Sequence, residues 1–151
     1  YMSLLKNRDQ SLDKDEDFTD LLKKAGDDPV MREAQDKQFE RLIIGPTLKL
    51  AKSLGIETPL GIAVVHDSRI HGSFPHLRKQ TEEELGGTPR TVVGEEEWIK
   101  RYVEIRHEWL SNHNIPIIRK TNYRTTFFLR MIKEKNWQLR PPLNIGSVQV
   151  D

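Results

Sequence analysis

The chain has 151 residues, 36% of them hydrophobic, which is enough for one respectable core. Its 24 basic and 23 acidic residues leave a net charge of +1, so no overall field favours nucleic acid or a membrane surface as a partner. There is no cysteine, which excludes disulfides and thiolate metal sites. No apolar run approaches the roughly 20 residues that a bilayer span needs, and the opening residues do not form a signal peptide.

The whole chain divides by composition into two regions. Residues 1–17 are predicted to be a solvated segment, because charged side chains dominate from Lys6 to Asp17. Residues 18–151 are predicted to be a helical region. Its first helix should end at Gly26, and its apolar side chains fall at helical spacing: Phe18, Leu21, Leu22 and Ala25.

The next helices are marked by their caps. Asp28-Pro29 supplies an N-cap residue and a proline in the first turn of a helix that should end or kink at Gly45-Pro46. Further helical turns lead to Gly55. Thr58-Pro59 repeats the cap signal, so the apolar stretch that continues to Gly72 is predicted to be a buried helix rather than a strand.

The second half of the chain contains the clearest helical patterns. A turn at Ser73–Pro75 should precede a short polar helix over Arg78–Leu85. Gly94–Asn112 is predicted to be an amphipathic helix, and a last long helix should run from about Asn114 to Asn136. The tail, 144–151, could be a short strand or extended coil. The predicted fold class is therefore mainly α.

Asp67 is the residue that most needs an explanation. It lies within the apolar stretch, where an unpaired carboxylate would cost several kcal/mol. Arg106 lies beside the inward stripe of its helix, and Arg119 opens the last helix. Arginine suits the role of partner because its planar fork can bond a carboxylate twice. We therefore predict that Asp67 is neutralised by Arg106, Arg119 or both, and a purely structural salt bridge is an equally compatible interpretation.

Other chemistry-bearing residues give weaker signals. His66-Asp67 with His71 could bind a metal if further ligands came from His76, His107 or His113, but hydrogen-bonded histidines are the favoured interpretation, and no metal or cofactor is predicted. Glu95–Glu97 is interpreted as a solvated cluster at a helix start. Three tryptophans could stack on sugar rings, although for the first two a place in the core is favoured: Trp98, Trp109 and Trp137.

Three blocks of sequence, in this order, carry a family resemblance. They are DPVMREAQD, LGIAVVHDSRIHG and FFLRMIKEKNWQLRPPL. Together they make the chain resemble the chitosanases of glycoside hydrolase family 46. The resemblance implies a mainly α, lysozyme-like, two-lobed helical fold with a substrate cleft, of which this chain supplies the C-terminal part.

The resemblance also implies roles for particular residues. Asp67, Arg106 and Arg119 match a charge network that lies behind the catalytic carboxylates of the family. The catalytic glutamate and aspartate lie upstream of the matching region, so no catalytic residue is assigned within 1–151. Family enzymes invert the anomeric centre, which requires carboxylates about 6.5–9.5 Å apart. The implied partners are a polysaccharide substrate and the chain's own upstream segment, and the implied location is extracellular.

Three other functions remain open at the level of sequence. The same fold could hydrolyse peptidoglycan, because lysozyme-like cores host both activities. The chain could instead be a non-catalytic carbohydrate-binding or interaction module. The third is a metal-dependent phosphohydrolase built around His66 and Asp67.

Overall fold

A computed structural model describes residues 1–146 and 148–151 of the chain, and it is mainly helical, as predicted. It contains two compact units, Tyr1–Leu42 and Ile43–Asp151. Each unit is described by itself below. Ser147, within the predicted tail, lies outside the described residues.

The first unit is a series of short helices. They are α1 (Met2–Lys6), a 3₁₀ turn (Gln10–Lys14), α2 (Glu16–Ala25) and α3 (Pro29–Phe39). The predicted solvated segment therefore contains helical turns, and Leu12 within it is buried. The 3₁₀ turn is capped by Asp9, which accepts a hydrogen bond from the Ser11 N–H at 2.9 Å, and α2 is capped by Asp15, which accepts one from the Phe18 N–H at 2.8 Å. The cap predicted at Asp28 is present, with its carboxylate 2.7 Å from the Val30 nitrogen.

The second unit holds the main hydrophobic core. After a π-helical segment (Glu40–Ile44) that crosses the boundary between the units, its helices are α4 (Gly45–Leu54), α5 (Pro59–Ile70), α6 (Phe74–Leu85), α7 (Glu95–Ser111), α8 (Pro116–Arg119) and α9 (Tyr123–Lys133). A 3₁₀ turn (Lys120–Asn122) joins α8 to α9. Strands β1 (Leu143–Ile145) and β2 (Val148–Val150) pair antiparallel, in agreement with the strand option for the tail.

One predicted boundary was confirmed and another was wrong. The break predicted at Gly45-Pro46 coincides with the change from the π-helical segment to α4, and Pro46 lies in the first turn of α4, where its missing N–H costs no hydrogen bond. The helix predicted from Arg78 begins earlier, at Phe74, with Pro75 in its first turn. In both places a proline that resembles a breaker in the sequence is accommodated as a helix start.

The buried helix α5 is fixed at its N-terminus by two caps. Thr58 Oγ1 accepts a hydrogen bond from the Gly61 N–H at 3.1 Å, as the sequence predicted. The carboxylate of Glu95, from the start of α7, accepts bonds from the backbone N–H groups of Glu57 and Thr58 at 2.9 and 2.8 Å. It also accepts from the Thr58 hydroxyl at 2.5 Å. The first turn of α7 thereby sets the position of α5.

Candidate functional site

Asp67 lies one turn from the C-terminal end of α5, on the side that faces α7 and α9. The core-facing residues around it, Val64, Val65 and Ser68, are fully buried, and the Asp67 side chain is 17% exposed. A carboxylate with so little solvent requires charged partners. Two arginines supply them.

Arg106 of α7 is the fully buried partner. Its side chain is 0% exposed, and its Nη1 atom lies 2.7 Å from Asp67 Oδ2. Its Nε donates to the hydroxyl of Ser73, the residue before α6, at 3.2 Å. Arg106 thus joins α5, α6 and α7 through a single planar group. The sequence placed Arg106 toward the interior, and the structure brings it together with Asp67.

Arg124 of α9 is the second partner, and the sequence did not identify it. Its Nη1 atom donates to Asp67 Oδ1, and its side chain is 35% exposed. Partial burial opposes the positive charge of Arg124, but the hydrogen bond and charge of Asp67 outweigh that effect and raise its pKa. Arg124 therefore keeps its positive charge at any ordinary pH.

Arg119 does not occupy the place expected for it. It is exposed, and its Nη1 atom donates to the backbone oxygens of His113 and Asn114 at 2.7 and 3.3 Å. The 3₁₀ turn between α8 and α9 changes the helical phase, because it advances each residue by about 120° instead of 100°. The directions of the Arg119 and Arg124 side chains therefore differ from those that one continuous α-helix would give them. The sequence feature that could have identified Arg124 is its spacing of three and four residues from the buried pair Phe127 and Phe128, which places it on the inward side of α9.

The completed cluster has an excess of positive charge. It contains two guanidinium groups and one carboxylate within the described part of the chain. Arg106 Nη2 and Arg124 Nε are buried without a hydrogen-bond partner among the described residues. Buried donors on charged groups are costly when unpaired, so the cluster is chemically suited to a further anionic group.

The surroundings of the cluster contain a histidine and a buried tyrosine. Thr121 Oγ1 and His71 Nε2 lie 3.3 Å apart. Burial, followed by the charges of Arg106 and Arg124, lowers the pKa of His71, and the opposing effect of Asp67 is smaller. Burial raises the pKa of Tyr102 to about 12. Both side chains are therefore neutral near pH 7, and the charge of the site comes from the Asp67 cluster.

A pocket of about 360 Å³ opens beside the cluster. Asp67, His66 and Arg124 form its polar part, and apolar side chains of α9 and β1 form most of the remainder. In residues 1–146 and 148–151, no three histidines or acidic side chains are grouped so that they could hold a metal ion. No helix in the same described residues is long and apolar enough to cross a membrane.

The structure thus combines a mainly helical fold with an aspartate held between two arginines beside an open pocket. The sequence model for glycosyl hydrolase family 46 matches residues 1–143. The chain therefore belongs to glycosyl hydrolase family 46, and the resemblance seen in the sequence is confirmed.

A chitosanase of Bacillus subtilis (strain 168) is 30% identical over 141 residues, which cover 86% of this chain and 51% of the relative. The chain thus spans about half the length of that enzyme.

Solved structures agree on the fold. A chitosanase from Bacillus subtilis MY002 superposes with a TM-score of 0.77 at 24% identity, over 90% of this chain and 63% of that one. A mutant chitosanase from the same source, complexed with 6 GlcN, gives a TM-score of 0.77 at 26% identity, over 91% and 61% of the two chains. A Gynuella sunshinyii GH46 chitosanase in complex with chitotetraose gives 0.74 at 24% identity, over 84% and 58%. The lysozyme-like helical fold predicted from the resemblance is confirmed.

Proposed function

We propose that this chain is part of an extracellular glycoside hydrolase that cleaves the β-1,4 bonds of chitosan with inversion. Membership of family 46 is the observation that carries the proposal. The related chitosanase of Bacillus subtilis supports the substrate class. The solved relative that was captured with chitotetraose also supports it.

In this proposal, the Asp67 cluster positions the catalytic machinery and takes no part in bond cleavage. Arg106 and Arg124 hold Asp67, and their unpaired N–H groups donate hydrogen bonds to a carboxylate from a segment outside residues 1–151. The excess positive charge of the cluster stabilises that carboxylate in its ionised form, which a group that activates water requires. Arg124 replaces Arg119 in the network inferred from the sequence.

The acid and the base are proposed to lie outside residues 1–151. The general acid protonates the leaving glycosidic oxygen, and a second carboxylate removes a proton from the attacking water on the opposite face of the sugar. The share of the Bacillus relative that the chain covers leaves room for such a segment. Neither Asp67 nor the clusters of glutamates on α6 and α7 receive a catalytic role.

The test measures the release of reducing ends by the complete protein from three polymers: chitosan, fully acetylated chitin and peptidoglycan. The proposal predicts release from chitosan at a rate at least ten times that from the other two. Release from peptidoglycan alone would assign the alternative hydrolase activity. Binding to chitosan without any release would assign the non-catalytic module, and either result would overturn the proposal.

A matched pair of variants connects the activity to the cluster. Arg124→Met removes the partly exposed partner of Asp67, and Arg119→Met makes the same chemical change at an exposed arginine outside the cluster. Because the network positions a reacting group, Arg124→Met should lower kcat at least ten-fold and leave KM within about two-fold. Arg119→Met should change neither constant. Equal effects of the two variants would contradict the role given to Arg124.

A further inference from the structure

A second pocket, of about 480 Å³, lies around Trp109 near the C-terminal end of α7. The sequence interpreted Trp109 as a core residue together with Trp98. Trp98 is fully buried, and its indole N–H donates to the Gly87 carbonyl at 3.1 Å. Trp109 is only half-buried, and no residue in the described part of the chain accepts a hydrogen bond from its indole N–H. Two tryptophans on one helix are thus in different chemical situations.

Two imidazole rings hold the Trp109 ring in place. The ring of His76, from α6, lies 5.1 Å away at an interplanar angle of 62°. The ring of His113, after α7, lies 4.8 Å away at 80°. His113 Nδ1 accepts a hydrogen bond from the Ile115 N–H at 3.1 Å, so the neutral ring carries its proton on Nε2. An aromatic side chain that is both oriented and partly exposed is typical of ligand sites.

The rest of the pocket is polar. Glu108, Gln80, Asn112 and Asn114 contribute to its lining. The Glu108 carboxylate forms no ion pair with any cation that the structure describes, although many other glutamates on α6 and α7 are paired. An unpaired carboxylate, three amides and an unused indole N–H therefore surround the same space. Such groups match the ammonium and hydroxyl groups of an amino sugar.

We infer that the pocket around Trp109 is a binding site for one glucosamine unit of a polymer chain, with the sugar ring on Trp109 and its ammonium at Glu108. The choice of an amino sugar rests on the proposed function. The site is separate from the pocket beside Asp67, with which it shares no lining residue. The site would bind a long polymer at a glucosamine unit outside the group of sugars that react.

Binding can be measured at the indole itself. Chitotetraose is added to the isotopically labelled protein, and the indole N–H cross-peaks of the three tryptophans are followed by NMR. The Trp109 cross-peak should shift in a saturable manner, and the cross-peak of buried Trp98 should not. A silent Trp109 cross-peak at a chitotetraose concentration that saturates shifts elsewhere would overturn the inference.

Two variants test the chemistry of the site. Glu108→Gln keeps the shape of the side chain and removes its charge, so it should weaken chitotetraose binding about two- to five-fold, as expected for an exposed ion pair. Trp109→Phe should weaken binding at least as much. Trp137→Phe, at a tryptophan outside the pocket, is the control and should bind chitotetraose like the unaltered protein. Unchanged affinity in Glu108→Gln, or equal binding of the fully N-acetylated tetramer, would overturn the assignment to glucosamine.

Failure of this inference and failure of the proposed function can be told apart, because the NMR experiment requires no hydrolysis. A Trp109 site that binds chitotetraose in a protein that does not cleave chitosan would support the site and reject the enzyme. Cleavage of chitosan with no response at Trp109 would do the opposite.

Discussion

Replacement of Arg106 by methionine tests the most buried contact of the candidate site. Methionine approximates the aliphatic part of the side chain and removes the guanidinium group. The change leaves the 17% exposed Asp67 side chain with Arg124 alone and removes the donor to Ser73. Loss of one partner from a buried ion pair costs about 3–5 kcal/mol. Because Arg124 still neutralises Asp67, we expect the lower end of that range, about 3 kcal/mol.

The assay is urea unfolding followed by far-UV circular dichroism, with Arg119→Met as the matched control. Arg119 is exposed, and within the part of the chain that the structure describes it bonds only to nearby backbone oxygens, so its replacement should change the free energy of unfolding by no more than about 0.5 kcal/mol. The m-value, which is the slope of the free energy of unfolding against urea concentration, should be the same for both variants. Differences between their midpoints then report differences in stability. If Arg106→Met lost no more stability than Arg119→Met, the ion pair between Arg106 and Asp67 would not contribute measurably to the free energy of unfolding, which would refute the prediction.

Three further predictions concern the support of α5 and its surroundings. Glu95→Ala should lower the free energy of unfolding by about 1–3 kcal/mol, because it leaves the backbone donors at the start of α5 unpaired, whereas Glu96→Ala, at an exposed residue of the same helix turn, should have little effect. Gly61→Ala should lower the melting temperature despite the better helix propensity of alanine. The reason is that an added Cβ would lie 2.5 Å from Glu95 Oε1 and 2.7 Å from Ile56 Cγ2. An unchanged or higher melting temperature would contradict this packing. His71→Gln should reduce the loss of stability between about pH 7 and pH 5, because the pKa of His71 is lowered in the folded state and the unfolded chain therefore binds the proton first. Identical pH profiles of stability for His71→Gln and the unaltered protein would remove His71 from that account.

The sign of the His71 effect follows from its surroundings. Burial opposes its protonation most strongly, followed by the charges of Arg106 and Arg124, and the favourable charge of Asp67 is smaller. The histidine therefore contributes stability above its unfolded pKa, and that contribution is lost as the pH falls toward the folded value. Glutamine is neutral throughout this range and can still hydrogen-bond to Thr121.

Local signals in the sequence predicted local features well. The caps at Asp28 and Thr58 are present because a capping residue, the following proline and the first N–H groups lie within a few residues of each other. The long helix around Arg106 was equally clear, because its inward stripe repeats over several turns. The burial of Arg106 and its approach to Asp67 follow from the packing of α7 against α5, the helix that Thr58 caps.

Features that depend on tertiary structure were missed. The choice of Arg124 over Arg119 depends on the 3₁₀ turn between α8 and α9, where the Thr121 hydroxyl bonds to the Ile118 carbonyl at 2.7 Å and competes with regular helix. The role of Glu95 depends on a contact with a segment 37 residues away, which no local pattern reveals. From its position at a helix start, Glu95 was interpreted as a solvated side chain.

The central proposal is that this chain is part of an inverting chitosan hydrolase. The most direct test is the anomeric configuration of the first product that the complete protein releases from chitosan, read by proton NMR before mutarotation. Cleavage of a β-linked polymer with inversion predicts that the new reducing end first appears as the α-anomer. Initial formation of the β-anomer, or the absence of any product, would contradict the proposal.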